Sequence, residues 1–379
     1  MTLGSTVPFN RVLAAGEEIR YLQAAVEGGH VSGAGPYTSR CEQALNEITG
    51  SEQTLLTTSC THALEMACHL LDLGPGDEVV VPSFTFVSTA AAVAMRGAVP
   101  VFADIRDDTL GLDERLLDRA WSERTKAIIL VHYAGVGCEM EEISQWASDR
   151  GIDLVEDNAH GLFGSYRARP LGSFGALSTL SFHETKNLSC GEGGALQINR
   201  ADLVDRAEVL REKGTDRSAF LRGRVDKYRW IDLGSSWLPS DMLAAFLWAQ
   251  IERRTVLQAQ RQAIWAAYAH RLAPWLKERG FRTLEPPADR RHPAHLFWIM
   301  APSPRERDRL LQHLRSLGVQ AVFHYVPLHS SPAGRRLGRS PGSLDVTERV
   351  SASLLRLPLW AGMTEAMIDQ VVSAVLAFR

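Results

Sequence analysis

Between about residues 53 and 200, short runs of apolar, β-favouring residues alternate with helical patterns. TLLTTS (54–59), VVVPS (79–83), VPVFADI (99–105), AIILVHY (127–133) and IDLVED (152–157) read as strands. THALEMACHLLDL (61–73) places Leu64, Ala67, Cys68 and Leu71 on one helical face, and the stretches Phe84 to Met95 and Glu139 to Asp149 also read as helix. The strand runs are uniformly apolar instead of alternating. A strand is apolar on both sides only where both faces of its sheet are covered, so the pattern predicts an α/β fold with a mostly parallel sheet between helices. ALSTLSF (176–182) and GALQI (194–198) read as two further strands joined by a tight loop.

The pattern changes after residue 200. An irregular basic segment, KGTDRSAFLRGRVDKYRW (213–230), precedes a helical stretch from Asp241 to about Leu272 that contains no Gly or Pro. The last hundred residues give strand AHLFWIMAP (294–302), helix RERDRLLQHLRSL (305–317), strand VQAVFHYV (319–326) and two C-terminal helices. With 379 residues, one ordinary domain is exceeded. A large unit over 1–250 and a smaller α+β unit over 251–379 are expected.

Composition excludes several function classes. Forty-one basic and 44 acidic residues give a net charge of −3, which offers no reason to expect nucleic acid or an anionic membrane as partner. The five cysteines, Cys41, Cys60, Cys68, Cys138 and Cys190, are scattered and form no CxxC, as expected for reduced thiols in a cytoplasmic protein. The first 18 residues lack a basic stretch followed by an apolar one, and no run reaches the ~18 apolar residues of a membrane helix. The scattered histidines show no metal-binding spacing.

In an open α/β sheet, ligands sit beyond the carboxyl ends of the strands. Ser59, Cys60 and Thr61 stand there, between a strand and a helix start. Phe86 follows VVVPS, Asp157 and His160 follow IDLVED, and Ser181, His183 and Lys186 follow ALSTL. Each alone has an ordinary structural role: a helix cap, a turn former, a core ring, a lysine reaching for solvent. Together they meet four needs of one cofactor. A helix start with free amides and hydroxyls binds phosphate. A carboxylate keeps a pyridine nitrogen protonated, and an aromatic face stacks on its ring. A lysine in a low-dielectric pocket has a depressed pKa and forms a Schiff base. Those are the needs of pyridoxal 5'-phosphate.

VPFN near the start, PSFTFVSTA (82–90), VHYAG (131–135), VEDNAHG (155–161), SFHETKN (181–187), GEGGAL and FHYVPLH (323–329) occur in the order found in the DegT/StrS sugar aminotransferases, and the chain resembles that family over essentially its whole length. The resemblance implies the aspartate-aminotransferase (type I) fold and pyridoxal phosphate as cofactor. It assigns Lys186 to the Schiff base, Asp157 to the pyridine nitrogen, Phe86 to stacking, and His160 to the neighbourhood of the ring hydroxyl. Ser181 with Ser59, Cys60 and Thr61 would hold the phosphate. Where the family brings an Asn from the neighbouring subunit to that phosphate, this chain has Ser236. Family members that dehydrate sugars at C-3 carry His in place of the Schiff-base lysine, so Lys186 points to transamination. A homodimer with shared sites is implied.

Within the family, the segments SFHETKN, 211–236 and AVFHYVPLH resemble the branch acting at C-4 of dTDP-4-keto-6-deoxyglucose, with L-glutamate as amino donor. Arg217, Arg222 and Lys227, in the basic segment, are candidates for the nucleotide diphosphate, and His183, His324, Tyr325 and His329 for the sugar. Whether the new amine is equatorial or axial stays open. Amination at C-3 of a 3-keto sugar and a non-catalytic role on the same fold are the rival expectations.

Overall fold

A computed structural model describes residues 6–379, so Met1–Ser5, which belong to the segment read above as lacking a leader, lie outside the described residues. The longer strands of the first half are β1 (Gln53–Thr57), β2 (Glu78–Pro82), β3 (Val99–Ala103), β4 (Thr125–Val131), β5 (Asp153–Asp157), β6 (Leu177–Ser181) and β7 (Gly194–Ile198). They form one seven-stranded sheet in the order β1-β7-β6-β5-β4-β2-β3. Every pairing from β6 through to β3 is parallel, and β7 runs antiparallel to both of its neighbours. Val79, Val80 and Val81 of β2 are all fully buried, which accounts for the continuous apolar run. Complete burial of one such side chain contributes about 1.5–3 kcal/mol.

A second core lies around a three-stranded antiparallel sheet of β8 (Phe297–Met300), β9 (Val322–Phe323) and β10 (Leu354–Leu357), with β10 in the centre. The helices Pro304–Ser316 and Glu365–Leu376 bury Leu310, Leu314, Val371 and Val375 in this core. Val7 is buried there too, and its backbone exchanges hydrogen bonds with Gly318 and Gln320. The helix Arg254–Arg279 spans the two parts, with Leu257 in the first and Ile264, Tyr268 and Leu272 in the second.

Four expectations from the sequence are corrected. The long helical stretch is two helices, Asp241–Glu252 and Arg254–Arg279, separated by a non-helical Arg253 (φ −95°, ψ +8°), and the second runs on through Pro274. The strand expected over 319–326 shrinks to Val322–Phe323: Val319 and Ala321 are buried in the second core, and His324 and Tyr325 line the cavity described below. The C-terminal region holds three helices, Pro332–Leu337, Asp345–Ser353 and Glu365–Leu376, with the central strand β10 between the last two. The connection between β6 and β7 spans residues 182–193 and is folded on itself, so it is no tight loop. No helix among the described residues is long and apolar enough to cross a membrane.

Candidate active site

The carboxyl ends of β4, β5 and β6 open into a cavity of about 760 Å³, closed on the far side by residues of the second sheet and by Phe9 and Asn10. Lys186 projects into it from the 182–193 loop. That loop is pinned by backbone hydrogen bonds from Phe182 to Gly193, from Glu184 to Gly191 and from Cys190 to Phe182. Gly194 matters here for close approach. A Cβ on it would lie 2.3 Å from the Cys60 nitrogen, so only glycine lets β7 pass beside the start of the helix Cys60–Leu70. Burial lowers the Lys186 amine to about 8, against the partial opposition of Cys60 and Asp157. Relative to an ordinary lysine, the neutral, nucleophilic fraction at pH 7 rises roughly 300-fold.

Adjacent strand residues face opposite sides, and the end of β5 uses both. Glu156 faces away and accepts N–H groups from Gly172 (2.7 Å), Phe174 (2.6 Å) and Gly175 (2.8 Å), which fixes the strand end. Asp157 lines the cavity, accepts the Thr89 hydroxyl at 2.8 Å and the Ala159 N–H at 3.3 Å, and is pushed above its usual range by burial. A cationic N–H placed before it would supply the positive partner that its burial lacks.

Phe86 ends the turn after β2 and caps the helix Val87–Met95. Its ring is 58 % exposed and lines the cavity, a costly placement for a phenylalanine unless a planar group covers it. The start of this helix meets the start of Cys60–Leu70, where the Thr61 and Ser88 hydroxyls lie 2.7 Å apart. Ser59, Cys60, Thr61, Ser88 and Ser181 line the same corner. Two helix N-termini and four hydroxyls make a phosphate cradle. The Cys60 thiol, pushed up to about 12 by burial, stays protonated there and adds no charge.

His160 is buried, with no partner on its Nδ1, and stacks on His295 at 4.3 Å between ring centroids. Burial holds both rings far below the usual histidine range, so both are neutral. His295 is fixed by Asn187, the neighbour of Lys186, whose Oδ1 lies 2.8 Å from its Nδ1. Taken together, the amine, carboxylate, exposed ring, neutral imidazole and cradle fit pyridoxal phosphate.

The structure gathers Lys186, Asp157, Phe86, His160, Ser59, Cys60, Thr61, Ser181, His183, His324 and Tyr325 around the cavity. His329 is not among them. It is held behind the wall by Ser83 (2.7 Å) and Glu348 (3.1 Å). Arg217 pairs with Glu212 at 3.4 Å, Arg222 pairs with Glu208, and Ser236 bridges Glu212 through its backbone. These three and Lys227 lie outside the cavity of their own chain. The sequence reading missed Thr89, Ser88, His295, Phe9 and Arg356. Arg356 is the one arginine lining the cavity; its Nε has no partner, and among the described residues no carboxylate pairs with it.

The DegT/DnrJ/EryC1/StrS aminotransferase family model matches residues 13–376. Among solved structures, the chain is similar to the aminotransferase TlmJ from Streptoalloteichus hindustanus (30 % identity, 99 % of this chain and 98 % of that one, TM-score 0.89). It is as similar to DesV from S. venezuelae (30 % identity, 98 % of each chain, TM-score 0.88). A protein described as a sugar aminotransferase candidate, Spr1654 from Streptococcus pneumoniae, matches in its PLP form at 26 % identity over 98 % of this chain and 97 % of that one, TM-score 0.88. The same protein also has a PMP form.

Proposed function

The chain belongs to the DegT/DnrJ/EryC1/StrS aminotransferase family, a pyridoxal phosphate-dependent transaminase of type I fold, and from that premise we propose that it transfers the amino group of L-glutamate to C-4 of dTDP-4-keto-6-deoxy-D-glucose. The observation that carries the reading is the presence in one cavity of the Lys186 amine, lowered to about 8, and the Arg356 guanidinium, which no carboxylate pairs with among the described residues. An amino-acid donor needs both, one group to take a proton and one to hold a carboxylate.

When bound, the cofactor supplies an electron sink for the carbon that loses its proton. Ser59, Thr61, Ser88 and Ser181 would hold its phosphate, Asp157 would keep its ring nitrogen protonated, and Phe86 would cover one ring face. The neutral His160, which lines the cavity, would meet the ring hydroxyl. Lys186 Nζ takes the Cα proton of the donor. Arg356 receives the donor carboxylate, a charge-assisted contact that orients Cα toward that amine. In the second half-reaction, Lys186 Nζ delivers a proton to C-4 of the sugar. His324 and Tyr325 face the same space from the second sheet and are placed to meet sugar hydroxyls. The likeness of SFHETKN, 211–236 and AVFHYVPLH to the C-4 branch supports the sugar assignment.

The enzyme acts as a homodimer in this reading. The basic segment and the residue after it expose Phe220, Tyr228, Trp230 and Ile231, with Trp230 77 % accessible, an apolar surface suited to cover by a second copy. That contact would bring Ser236, Arg217, Arg222 and Lys227 toward the neighbouring cavity. Incubation with pyridoxal phosphate, L-glutamate and the 4-keto sugar, followed by NMR of the product, tests the reading. A 4-amino sugar is expected, with a large H-3/H-4 coupling for the gluco product and a small one for galacto. Turnover of a 3-keto sugar alone would move the reaction to C-3. Cofactor binding without turnover of either sugar would overturn the transfer.

A further inference from the structure

The N-terminal segment crosses between the two parts of the molecule at the cavity mouth. Val7 is buried in the second core, and the Pro8 carbonyl accepts the Trp360 indole N–H at 3.2 Å. The Phe9 N–H donates to Gln320 Oε1 at 3.2 Å. One residue on, Asn10 Nδ2 donates to the carbonyl of Glu184, in the loop that carries Lys186, at 3.0 Å. Phe9 is therefore held from both sides, with its ring at the cavity wall. The Arg356 guanidinium carbon lies 4.8 Å from the centre of that ring.

Little else orients this guanidinium. Its Nε has no hydrogen-bond partner, and its Nη2 reaches the Phe323 carbonyl only at 3.4 Å. Arg261, by contrast, is spent on the carbonyls of Ala294 and His295. A cation over an aromatic face is attracted without consuming its N–H donors, which stay free for an incoming anion.

We propose that Phe9 is a positioning residue for the amino donor: its ring holds the Arg356 guanidinium at the cavity edge with its donors turned to the donor's carboxylate. This rests on Arg356 being the carboxylate anchor. Phe9 touches neither the reacting atoms nor the cofactor cradle, so its effect is on donor affinity.

The test is an absorbance titration of the holoenzyme with L-glutamate in the absence of sugar. It compares Phe9→Leu, which keeps apolar bulk, with Phe9→Tyr, which keeps the ring, and uses Arg356→Gln as reference. Phe9→Leu is expected to weaken the glutamate response roughly three- to tenfold. Phe9→Tyr should stay within about twofold of the parent, and the sugar KM should be unchanged in both. An unaltered Phe9→Leu titration beside an impaired Arg356→Gln overturns the role of Phe9 and leaves the anchor standing. Equal loss in the Leu and Tyr variants also overturns it, because packing alone would then explain the effect. A normal titration for Arg356→Gln removes the anchor and the proposal together.

Discussion

The two walls of the cavity are built by different rules. One wall comes from strand ends of the large sheet: Asp157 ends β5, Ser181 ends β6, and Lys186 follows in a loop locked by its own backbone. The opposite wall comes from the small antiparallel sheet and the segments around it: Phe323, His324, Tyr325, His295, Arg356 and Phe9. The first is rigid and backed by a core buried on both faces, which suits chemistry that must not vary. The second joins short strands and segments distant in sequence, and several of its side chains are set by aromatic contacts, which suits recognition that differs between substrates. Perturbing the first wall should therefore strike turnover, and perturbing the second should strike affinity.

The largest effect belongs to Lys186. Lys186→Ala should lower turnover by at least about a thousandfold and abolish the absorbance of the lysine-bound cofactor. An active alanine variant with an unchanged spectrum would break the assignment. In the cofactor-free protein, the depressed amine also makes a pH prediction. Its neutral fraction grows as pH rises toward about 8, so capture of a small aldehyde should rise through that range and level off above it. An ordinary lysine would keep rising to about 10.4.

Asp157→Asn comes next. It removes the charge that stabilises a protonated ring nitrogen while preserving shape and the contact to Thr89. Turnover should fall on the order of a hundredfold with the cofactor still bound. On the other wall, Arg356→Gln should raise the glutamate KM roughly ten- to a hundredfold, with far less effect on the sugar KM. If kcat fell and the glutamate KM held, the division between the walls would fail on its recognition side.

The difference between the walls also governs what the sequence shows. Asp157 and Lys186 stand out because a parallel sheet places its chemistry at strand ends, and those ends are marked by uniformly apolar runs such as VVVPS and IDLVED. Arg356 leaves no such mark. It sits in a four-residue strand whose partners, Phe297–Met300 and Val322–Phe323, are distant in sequence. Nothing local marks the break at Arg253 either, since the run around it contains no Gly or Pro. His329 shows the converse: a histidine in a suggestive motif whose two nitrogens are already engaged by Ser83 and Glu348. Thr89 was hidden because a threonine inside a helical run is ordinary, and only the fold sets it against Asp157.

The smallest effect tests the seam between the walls. Asn187 follows Lys186 on the first wall, yet its side chain bonds to Gln258 on the spanning helix and to Pro293 and His295 beside the second sheet. Its Oδ1 accepts from His295, and its Nδ2 donates to the Pro293 carbonyl at 2.8 Å and to Gln258 at 3.0 Å. Asn187→Ala deletes these bonds, but Gln258 still donates to Pro293 at 2.6 Å, so one acceptor keeps a partner. A net loss of about 1–2 kcal/mol follows, visible as a melting shift of roughly 1–3 °C in the holoenzyme. Because His295 stacks on His160, the released imidazole should also blur the position of the ring hydroxyl's partner and move the cofactor absorbance maximum slightly. Destabilisation with an unmoved spectrum would mean that the seam holds the two parts together without tuning the site, and the two walls would then act independently.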